Sequence, residues 1–574
     1  MASCKRWSVY PSHDDLSTKL GKSLGINPVI AQVLLNRGIR SLSDAHSFLT
    51  PDLSYSDSFP QETLLACSTV LKAAMDSGRP VFVYGDYDVD GMTSTTLMVS
   101  VLRELGVKVA FYIPNRFKDG YGLTTSIKDT LISYNCGLLI TLDCGTSNAA
   151  EIEELKRGTD LEVLIFDHHT LPEVLPVVEG MLNPRLLPAT HWSFGLCTVG
   201  IVYDFLDYFV RQYLKSDLCL ETHLDLVALG TIADVAPMFR RNRALTAKGL
   251  EVLTSRKRVG INALLEIAEF KGDSVTSRDV GFTIAPRLNA SGRIGDARVA
   301  VDLLLSQDQD AATALAHTLN KMNQDRQALS EAVMIDCLAQ LKANPEWLDH
   351  KVLVLSGTNW HAGVVGIISS RLVERFHRPV ILIAVDEKVS RGSCRSVGRV
   401  NMYDLLNRCL PYYLTFGGHK EAAGFSMAPE TVEAFKVAVR AVADEMLTDQ
   451  DLMPILELDL ELDISDMTLD LAGSISRLSP FGPTNPSPLF YAKNMRPISF
   501  KTVGANGTHL KVTFSDPAGK YVIDAIGFGL HEKLSLLYRS TVDIACSLEV
   551  NRWQGNVIPQ LSLIDIREGE GSRG

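Results

Sequence analysis

Three short segments carry residue types that hold divalent cations: Gly85-Asp86-Tyr87-Asp88-Val89-Asp90-Gly91, Leu142-Asp143-Cys144-Gly145 and Phe166-Asp167-His168-His169. A fourth, Thr231-Ile232-Ala233-Asp234, follows further along. Carboxylates and imidazoles gathered together suit two divalent ions, and such pairs suit phosphoester cleavage. A carboxylate bridging from Asp143 would let two ions sit about 3.5–4 Å apart, where they acidify bound water and neutralise charge on a phosphate. A mixed Asp/His shell suits Mn²⁺ better than Mg²⁺, which prefers oxygen ligands and retained water. Zinc is the weaker fit without cysteine ligands.

Blander readings compete at each segment. Asp86, Asp88 and Asp90 resemble the start of a calcium loop, but Leu97 stands where that loop needs its glutamate. They also suit an acidic turn that caps a helix starting near Thr93. Cys144 beside Asp143 invites a nucleophile reading, yet small residues are common in tight turns after strands. Two adjacent imidazoles behind an aspartate, at a second strand end, favour the metal pair.

The flanking patterns show how these residues would be brought together. Val81–Tyr84, Val107–Ile113, Leu138–Leu142 and Glu162–Phe166 are strand-like, and helix-like stretches Met92–Leu105, Thr124–Tyr134 and Asn148–Lys156 alternate with them. That alternation predicts a mostly parallel sheet with helices on its faces. In such sheets the site lies beyond the carboxyl ends of the strands, where Asp86, Asp143 and Asp167 fall. Helical stretches Trp192–Tyr213 and Leu224–Ala236 would complete this domain. Asp308–Leu341 contains no Pro or Gly and predicts a connecting helix, about 45–50 Å long at 1.5 Å per residue.

A second α/β unit follows, with Val352–Leu355 and Val380–Val385 as strands and Ala362–Arg375 as a helix. From about residue 454 the pattern changes to strands, beginning with Ile455–Ile464. Ile498–Val503, a Gly504-Ala-Asn-Gly507 turn, His509–Phe514, Tyr521–Phe528, Thr541–Val550 and Ile558–Ile566 continue it. About five strands fit a small barrel of the oligonucleotide-binding (OB) kind, although an SH3-like barrel reads the same way. The expected organisation is a helical preface over 1–60, a catalytic α/β domain over 61–300, a connecting helix over 301–345, a substrate-binding domain over 346–450, a barrel over 451–566 and a disordered tail over 567–574.

Whole-chain properties agree. The 574 residues exceed one core, and 46% hydrophobic with 21% charged residues is a globular composition. No apolar run of about 18 residues predicts a membrane span, and the first residues lack the apolar region of a secretory signal. Ten scattered cysteines form no CxxC pair, which favours a reducing cytoplasm over a disulfide framework. A net charge of −11 argues weakly against nucleic acid, but does not exclude a local basic groove. Of three arginine clusters, Arg240/Arg241/Arg243 and Arg256/Lys257/Arg258 read as solvated surface, whereas Arg391/Arg395/Arg399 reads as functional.

The Asp-x-Asp-x-Asp-Gly, Asp-Cys-Gly, Asp-His-His and Thr-Ile-Ala-Asp-Val-Ala-Pro segments resemble, in order and approximate spacing, the DHH phosphoesterase superfamily. Later segments are similar to its bacterial single-strand-DNA exonuclease branch: Ala285-Pro-Arg-Leu-Asn-Ala-Ser-Gly-Arg293, Trp360-His-Ala-Gly-Val-Val-Gly366, Gly392-Ser-Cys-Arg-Ser396, Gly417-Gly-His419 and Ala422-Ala-Gly424. The resemblance runs from about residue 20 to 566. It implies an α/β fold: a parallel-sheet DHH domain, a long connecting helix, a second (DHHA1-type) α/β domain and a C-terminal OB-like β-barrel.

It also implies roles. Asp88, Asp143, His168 and Asp234 would hold one Mn²⁺; Asp86, with Asp143 and Asp88, would help hold a second, Mg²⁺ being the alternative ion. His169 would contact the scissile phosphate, and Asp90 would orient its loop. The small phosphatases of the superfamily carry a histidine where Phe82 stands here, which favours the nuclease branch. Arg116 with Ser393 and Arg395 would bind a 5′-terminal phosphate. Arg287, Asn289 and Arg293, on a Gly/Ala-rich loop, would approach phosphates, and His419 would donate to the phosphate beside the metals. Trp360 would stack on a base or pack in the core. The barrel's aromatic candidates are Phe514, Tyr521, Phe528 and Trp553, with Phe514 favoured as core.

The implied activity is a single-strand-specific 5′→3′ DNA exonuclease that releases 5′-mononucleotides in repair and recombination. A single-strand binding protein and a recombination helicase are the implied partners of a monomer. The alternatives are a DHH phosphodiesterase or pyrophosphatase for small substrates, and an inactive DHH replication scaffold.

Overall fold

The computed structural model describes residues 5–53, 59–116, 118–120, 122–504, 506–553 and 555–569. The chain divides into two compact units. The first comprises Ser8–Asn289, Ala297–Ala316 and the chain from Glu457 onward; the second comprises His317–Leu456, Ala290–Asp296 and the described residues before Ser8.

In the first unit, β1 (Val81–Gly85), β2 (Val109–Tyr112), β3 (Leu138–Leu142), β4 (Glu162–Phe166) and β5 (Gly180–Leu182) form an all-parallel sheet in the order β2-β1-β3-β4-β5. Every residue of β1 and β3 is buried, as expected of strands covered by helices on both faces. The order reverses between β1 and β3, so the crevice at their carboxyl ends is the topological switch point.

Two helices differ from the sequence expectation, and one residue explains both. The first begins at Val89 rather than near Met92, with Asp88 as N-cap, so that Asp90 lies in its first turn. The second begins at Thr198 rather than Trp192. The Asp90 carboxylate accepts the backbone N–H groups of Thr198 and Val199 and so fixes where that helix starts. Trp192–Cys197 is therefore a loop. A third stretch, expected as a helix over Thr124–Tyr134, is a 3₁₀ turn followed by a short helix, Lys128–Ser133.

The N-terminal helices Asp14–Leu24, Pro28–Asn36 and Leu42–Leu49 share one core with the terminal barrel: Ile30, Leu34 and Phe48 lie in the same apolar cluster as Phe490, Phe514 and Ile544. The barrel's long strands are Phe490–Val503, His509–Ser515, Val522–Gly527, Val542–Trp553 and Asn556–Glu568, and antiparallel pairing of the first with Val542–Trp553 closes it. The expected Ile455–Ile464 strand is broken at Asp459. That buried carboxylate accepts from Leu489 N–H and pairs with Arg37 at 3.2 Å. The last strand runs to Glu568, and Arg567 pairs with Asp543 at 3.3 Å, so an ordered residue stands where the disordered tail was expected to begin. Residues beyond 569 lie outside the described residues.

The surface reading of two arginine clusters is overturned. Arg243 is 2% exposed and donates to the carbonyls of Phe48, Leu478 and Pro480, with its guanidinium 3.9 Å from the Phe48 ring centroid. Burial pulls its pKa down to about 10. Arg241 is buried against Asp204 at 2.6 Å, and Arg258 against Asp225 at 2.6 Å. Local clustering of cations does not distinguish solvated charge from charge buried against carbonyls and carboxylates.

In the second unit, β6 (Leu353–Thr358), β7 (Val380–Val385), β8 (Ser390–Arg395), β9 (Thr415–Gly418) and β10 (Ala422–Met427) form a mixed sheet in the order β9-β10-β8-β7-β6. Only β6 and β7 are parallel. The helix Ala362–Phe376 and the later part of the long helix Gln309–Ala343 share an apolar core with β6 and β7. The unit boundary falls within that long helix. The helix Val432–Met446 packs on the other core of this unit.

Candidate functional site

The strand ends of the first unit bring the predicted ligands together. Ligand atoms of Asp86, Asp88 and Asp143 all lie within 4.8 Å of one another, as do those of Asp143, His168 and His169. Asp143 belongs to both groups. Asp234 caps the carboxyl end of the helix Leu224–Ala233, and its Oδ2 lies 3.9 Å from His168 Nδ1. His168 Nε2 is 3.3 Å from Asp143 Oδ1.

Close packing makes this possible. A Cβ on Gly91 would fall 2.5 Å from the Asp86 carbonyl oxygen, so only glycine lets the helix begin so near the strand end. A Cβ on Gly230 would lie 2.4 Å from Thr93 Oγ1 and 3.1 Å from Asp90 Oδ1, so glycine also lets the helix that carries Asp234 approach. Asp143 has a positive φ of 64°, a conformation costly for a side chain with a Cβ. Its carboxylate accepts the Thr198 hydroxyl at 2.9 Å.

The carboxylates repel one another in a dry site. Burial first, then the charges of Asp88 and Asp143, holds Asp86 well above the ordinary carboxylate range. Burial and the charge of Asp88 do the same to Asp143. Burial, then Asp143, raises Asp90 to about 7, and burial with Asp90 and Asp143 raises Asp234 to about 9. Burial lowers His168, against the pull of Asp90. His169 behaves oppositely: burial pulls it down, but its hydrogen bond to Asp167 and the charge of Asp143 override this and raise it to about 10. Asp167 is pushed below its usual range because the His169 and Thr146 hydrogen bonds outweigh burial.

This donor set fits divalent cations. Asp86 Oδ1 is buried and accepts no hydrogen bond, an arrangement that costs free energy unless a positive charge meets it. Crowded carboxylates raised by mutual repulsion are stabilised by the same partner.

Some functional residues escaped the sequence reading. Asp167 turns away from the ligand groups: Oδ1 accepts from His169 N and faces its Nδ1 at 2.7 Å, and Oδ2 accepts from Thr146 N. It is a positioning residue. Asn183 donates to the His169 carbonyl and to Thr146 Oγ1. A polar residue directly after the apolar strand β5 was a signal available for Asn183. Thr198 carried no such signal, because its role depends on where Asp90 lies in space. Both Asp90 oxygens accept from the Thr198 and Val199 backbone, which gives Asp90 the orienting part expected of it.

The remaining predicted residues are spread over both units. In the first, the Arg116 guanidinium lies 5.5 Å from the Tyr87 ring centroid, beside the first acidic segment. Arg287 donates to the Thr283 carbonyl at 2.7 Å. Arg287, Asn289 and Arg293 lie on a helix, Ala285–Ile294, not on a loop, and a unit boundary falls within it after Asn289. Pro286 is tolerated there because the first turn needs no N–H from it. In the second unit, Arg395 Nη1 donates to Ser393 Oγ at 3.3 Å, next to Gly366, where a Cβ would meet both side chains. His419 is exposed on the β9–β10 hairpin. Trp360 is a core residue: it is 8% exposed, packs over Gly357, and donates Nε1–H to Asp336 at 2.7 Å, which excludes base stacking by this ring. In the barrel Phe514 is fully buried, whereas Tyr521 and Phe528 are 39% and 58% exposed. The Trp553 side chain lies outside the described residues.

Comparison with known proteins matches this architecture. Residues 80–231 match the DHH family, N-terminal domain; residues 349–445 match the DHHA1 domain; and residues 458–565 match the RecJ OB domain. The chain is 33% identical to the single-stranded-DNA-specific exonuclease RecJ of Bacillus subtilis, over 99% of this chain and 72% of that protein. It is 33% identical to the protein of the same name in Escherichia coli, over 94% of this chain and 96% of the other. The crystal structure of RecJ in complex with Mn²⁺ from Thermus thermophilus aligns with a TM-score of 0.85 at 31% identity, covering 98% of this chain and 80% of that one. The Mg²⁺ complex from the same organism aligns with a TM-score of 0.79 at 30% identity, covering 98% and 79%. With three domain matches in order and relatives aligned over nearly its whole length, the chain belongs to the RecJ family of the DHH phosphoesterases.

Proposed function

We propose that the protein is a metal-dependent exonuclease specific for single-stranded DNA, which degrades from a 5′ end and releases 5′-mononucleotides. The observation that carries this reading is the sharing of Asp143 between the Asp86/Asp88 group and the His168/His169 group, an arrangement suited to two adjacent cations. Asp88, Asp143, His168 and Asp234 would hold one ion, and Asp86, with Asp143 and Asp88, the other; Mn²⁺ suits the mixed shell and Mg²⁺ is the alternative. When bound, the ions supply Lewis acidity to the attacking water and to the phosphoryl oxygens.

The chain's own residues do the rest. His169, raised to about 10 and steadied through Nδ1 by Asp167, is an imidazolium at neutral pH and offers Nε2–H to a phosphate oxygen. Arg116, with Ser393 and Arg395, would recognise a 5′-phosphate, for which a planar guanidinium is well suited. Arg287, Asn289 and Arg293 would follow the backbone phosphates, and His419 would add a donor. The exposed Tyr521 and Phe528 rings of the barrel suit sequence-tolerant stacking on single-stranded bases. Among the described residues no helix is long and apolar enough to cross a membrane. A role in cytoplasmic repair and recombination, as a monomer beside single-strand binding protein and a recombination helicase, completes the reading.

The test is direct. With Mn²⁺, the full chain should degrade a 5′-phosphorylated single strand faster than a duplex, a dinucleotide or pyrophosphate, and Asp143→Ala should lose the activity. Faster turnover of pyrophosphate would instead identify a small-molecule phosphoesterase, and undiminished cleavage by Asp143→Ala would place the reaction elsewhere.

A further inference from the structure

Away from the ligand groups, two adjoining cavities of about 260 and 280 Å³ share Trp192, Phe239 and Arg240 as walls. The smaller lies between the Ala189–Leu196 loop and the segment Pro237–Asn242. In the chain, that loop leads directly into Thr198, and that segment follows directly on Asp234.

Asn242 makes this cavity more than an apolar recess. The residue is 2% exposed and lines the cavity. Its Nδ2 donates to the Gly195 carbonyl at 2.6 Å and to the Pro237 carbonyl at 3.0 Å. Both amide hydrogens are thus committed, which fixes the orientation of the amide group. Its Oδ1 is buried and accepts from no protein donor. A buried acceptor left in this state is stabilised by an incoming N–H or O–H.

The walls specify the shape of what brings that donor. Trp192, Phe194 and Phe239 are half-buried rings that line the space. Arg240, with its guanidinium 5.3 Å from the Phe239 ring centroid, adds a planar cation. Arg240 has a positive φ of 47° and is held there by Nη1 bonds to the Thr190 and His191 carbonyls. Strained backbone held in this way is characteristic of ligand clamps. Flat faces suit a heterocycle, and the single committed acceptor suits an exocyclic amino group.

We propose that this cavity binds an amino-bearing nucleobase, with Asn242 Oδ1 accepting from the amino group and Trp192 and Phe239 flanking the ring. The site is separate from the metal centre and does not depend on the nuclease reading. Two sources carry this chemistry: a base of a DNA strand and a free nucleotide.

Calorimetric titration of the Mn²⁺-loaded full chain with 2′-deoxyadenosine tests it, since a nucleoside without phosphate gains nothing from the metals. Saturable binding is expected. It should be at least tenfold weaker for N6,N6-dimethyl-2′-deoxyadenosine, which lacks the donor. It should weaken similarly in Trp192→Leu and Phe239→Ala proteins whose thermal transitions match wild type, and it should persist in Asp143→Ala. Competition by a 5′-blocked oligo(dA) would support the site with a strand base as its occupant; absence of competition would support it with a free nucleotide. No saturable binding at millimolar nucleoside, equal binding of the dimethyl compound, or loss of binding in Asp143→Ala would each overturn the proposal.

Discussion

His169 Nδ1 lies 2.7 Å from Asp167 Oδ1, and the same carboxylate oxygen accepts the His169 backbone N–H at 3.1 Å. The side chain therefore charges and orients the histidine next to the ligand groups without joining them. Asp167→Asn should let the His169 pKa fall from about 10 toward its ordinary value near 6.5. The imidazolium would then be lost as pH rises through neutrality. The kcat of the variant, measured against pH, should match wild type most closely near pH 6 and fall at least tenfold below it near pH 9. Parallel profiles would show that His169 acts without its charge.

Thr198 donates its hydroxyl to Asp143 Oδ1 at 2.9 Å and its backbone N–H to Asp90 Oδ2 at 2.7 Å. Partners behind a metal ligand typically contribute about 10–100-fold to metal affinity. Thr198→Ala should weaken Mn²⁺ binding by about tenfold on that basis, and Thr198→Ser, which keeps the hydroxyl, should restore it. Titration of Mn²⁺ followed by electron paramagnetic resonance reads the affinity independently of turnover.

Asp86, Asp90, Asp143 and Asp234 are all raised in the metal-free fold. Their folded forms hold protons that the unfolded chain releases above about pH 4. Because the folded state binds more protons, stability falls as pH rises from there through the folded values, about 7 for Asp90 and about 9 for Asp234. Cations replace those protons. The rise in Tm on adding Mn²⁺ should be small at pH 5 and grow toward pH 9. A rise independent of pH would show that these carboxylates do not hold the ion.

Arg243 joins three parts of the first unit through the carbonyls of Phe48, Leu478 and Pro480. Arg243→Ala leaves buried acceptors unpaired, at about 1–3 kcal/mol each. Its apparent Tm should fall by several degrees, with earlier proteolysis between the catalytic domain and the barrel. A change confined to DNA affinity would mark Arg243 as a surface contact instead.

Arg395 donates to Ser393 Oγ beside Gly366. Arg395→Ala should raise KM for 5′-phosphorylated strands at least fivefold while leaving affinity for a 5′-blocked strand of equal length nearly unchanged. Equal losses on both would assign Arg395 to general backbone contact.

Strand ends were legible because their signals are local. Buried parallel strands read as unbroken apolar runs, so Asp86, Asp143 and His168 could be assigned to the edge of one sheet from the sequence alone. The long helix and the barrel's alternating strands were legible for the same reason: their periods of 3.6 and 2 are written residue by residue. Long-range relationships were not. Thr198 is more than a hundred residues from Asp90, and only folding brings its N–H to that carboxylate, which then sets where its helix begins. Burial was equally hidden: Arg243 and Arg258 read as surface charge until their partners, Phe48 and Asp225, were brought beside them. Trp360 could not be assigned to core or ligand until Asp336, on another element, claimed its N–H. The sequence by itself determined which residues could hold metal and on which strands they lie. Tertiary structure decided which atoms converge, which carboxylate orients rather than binds, and which charges leave the solvent, because those outcomes depend on distances between segments that no local pattern encodes.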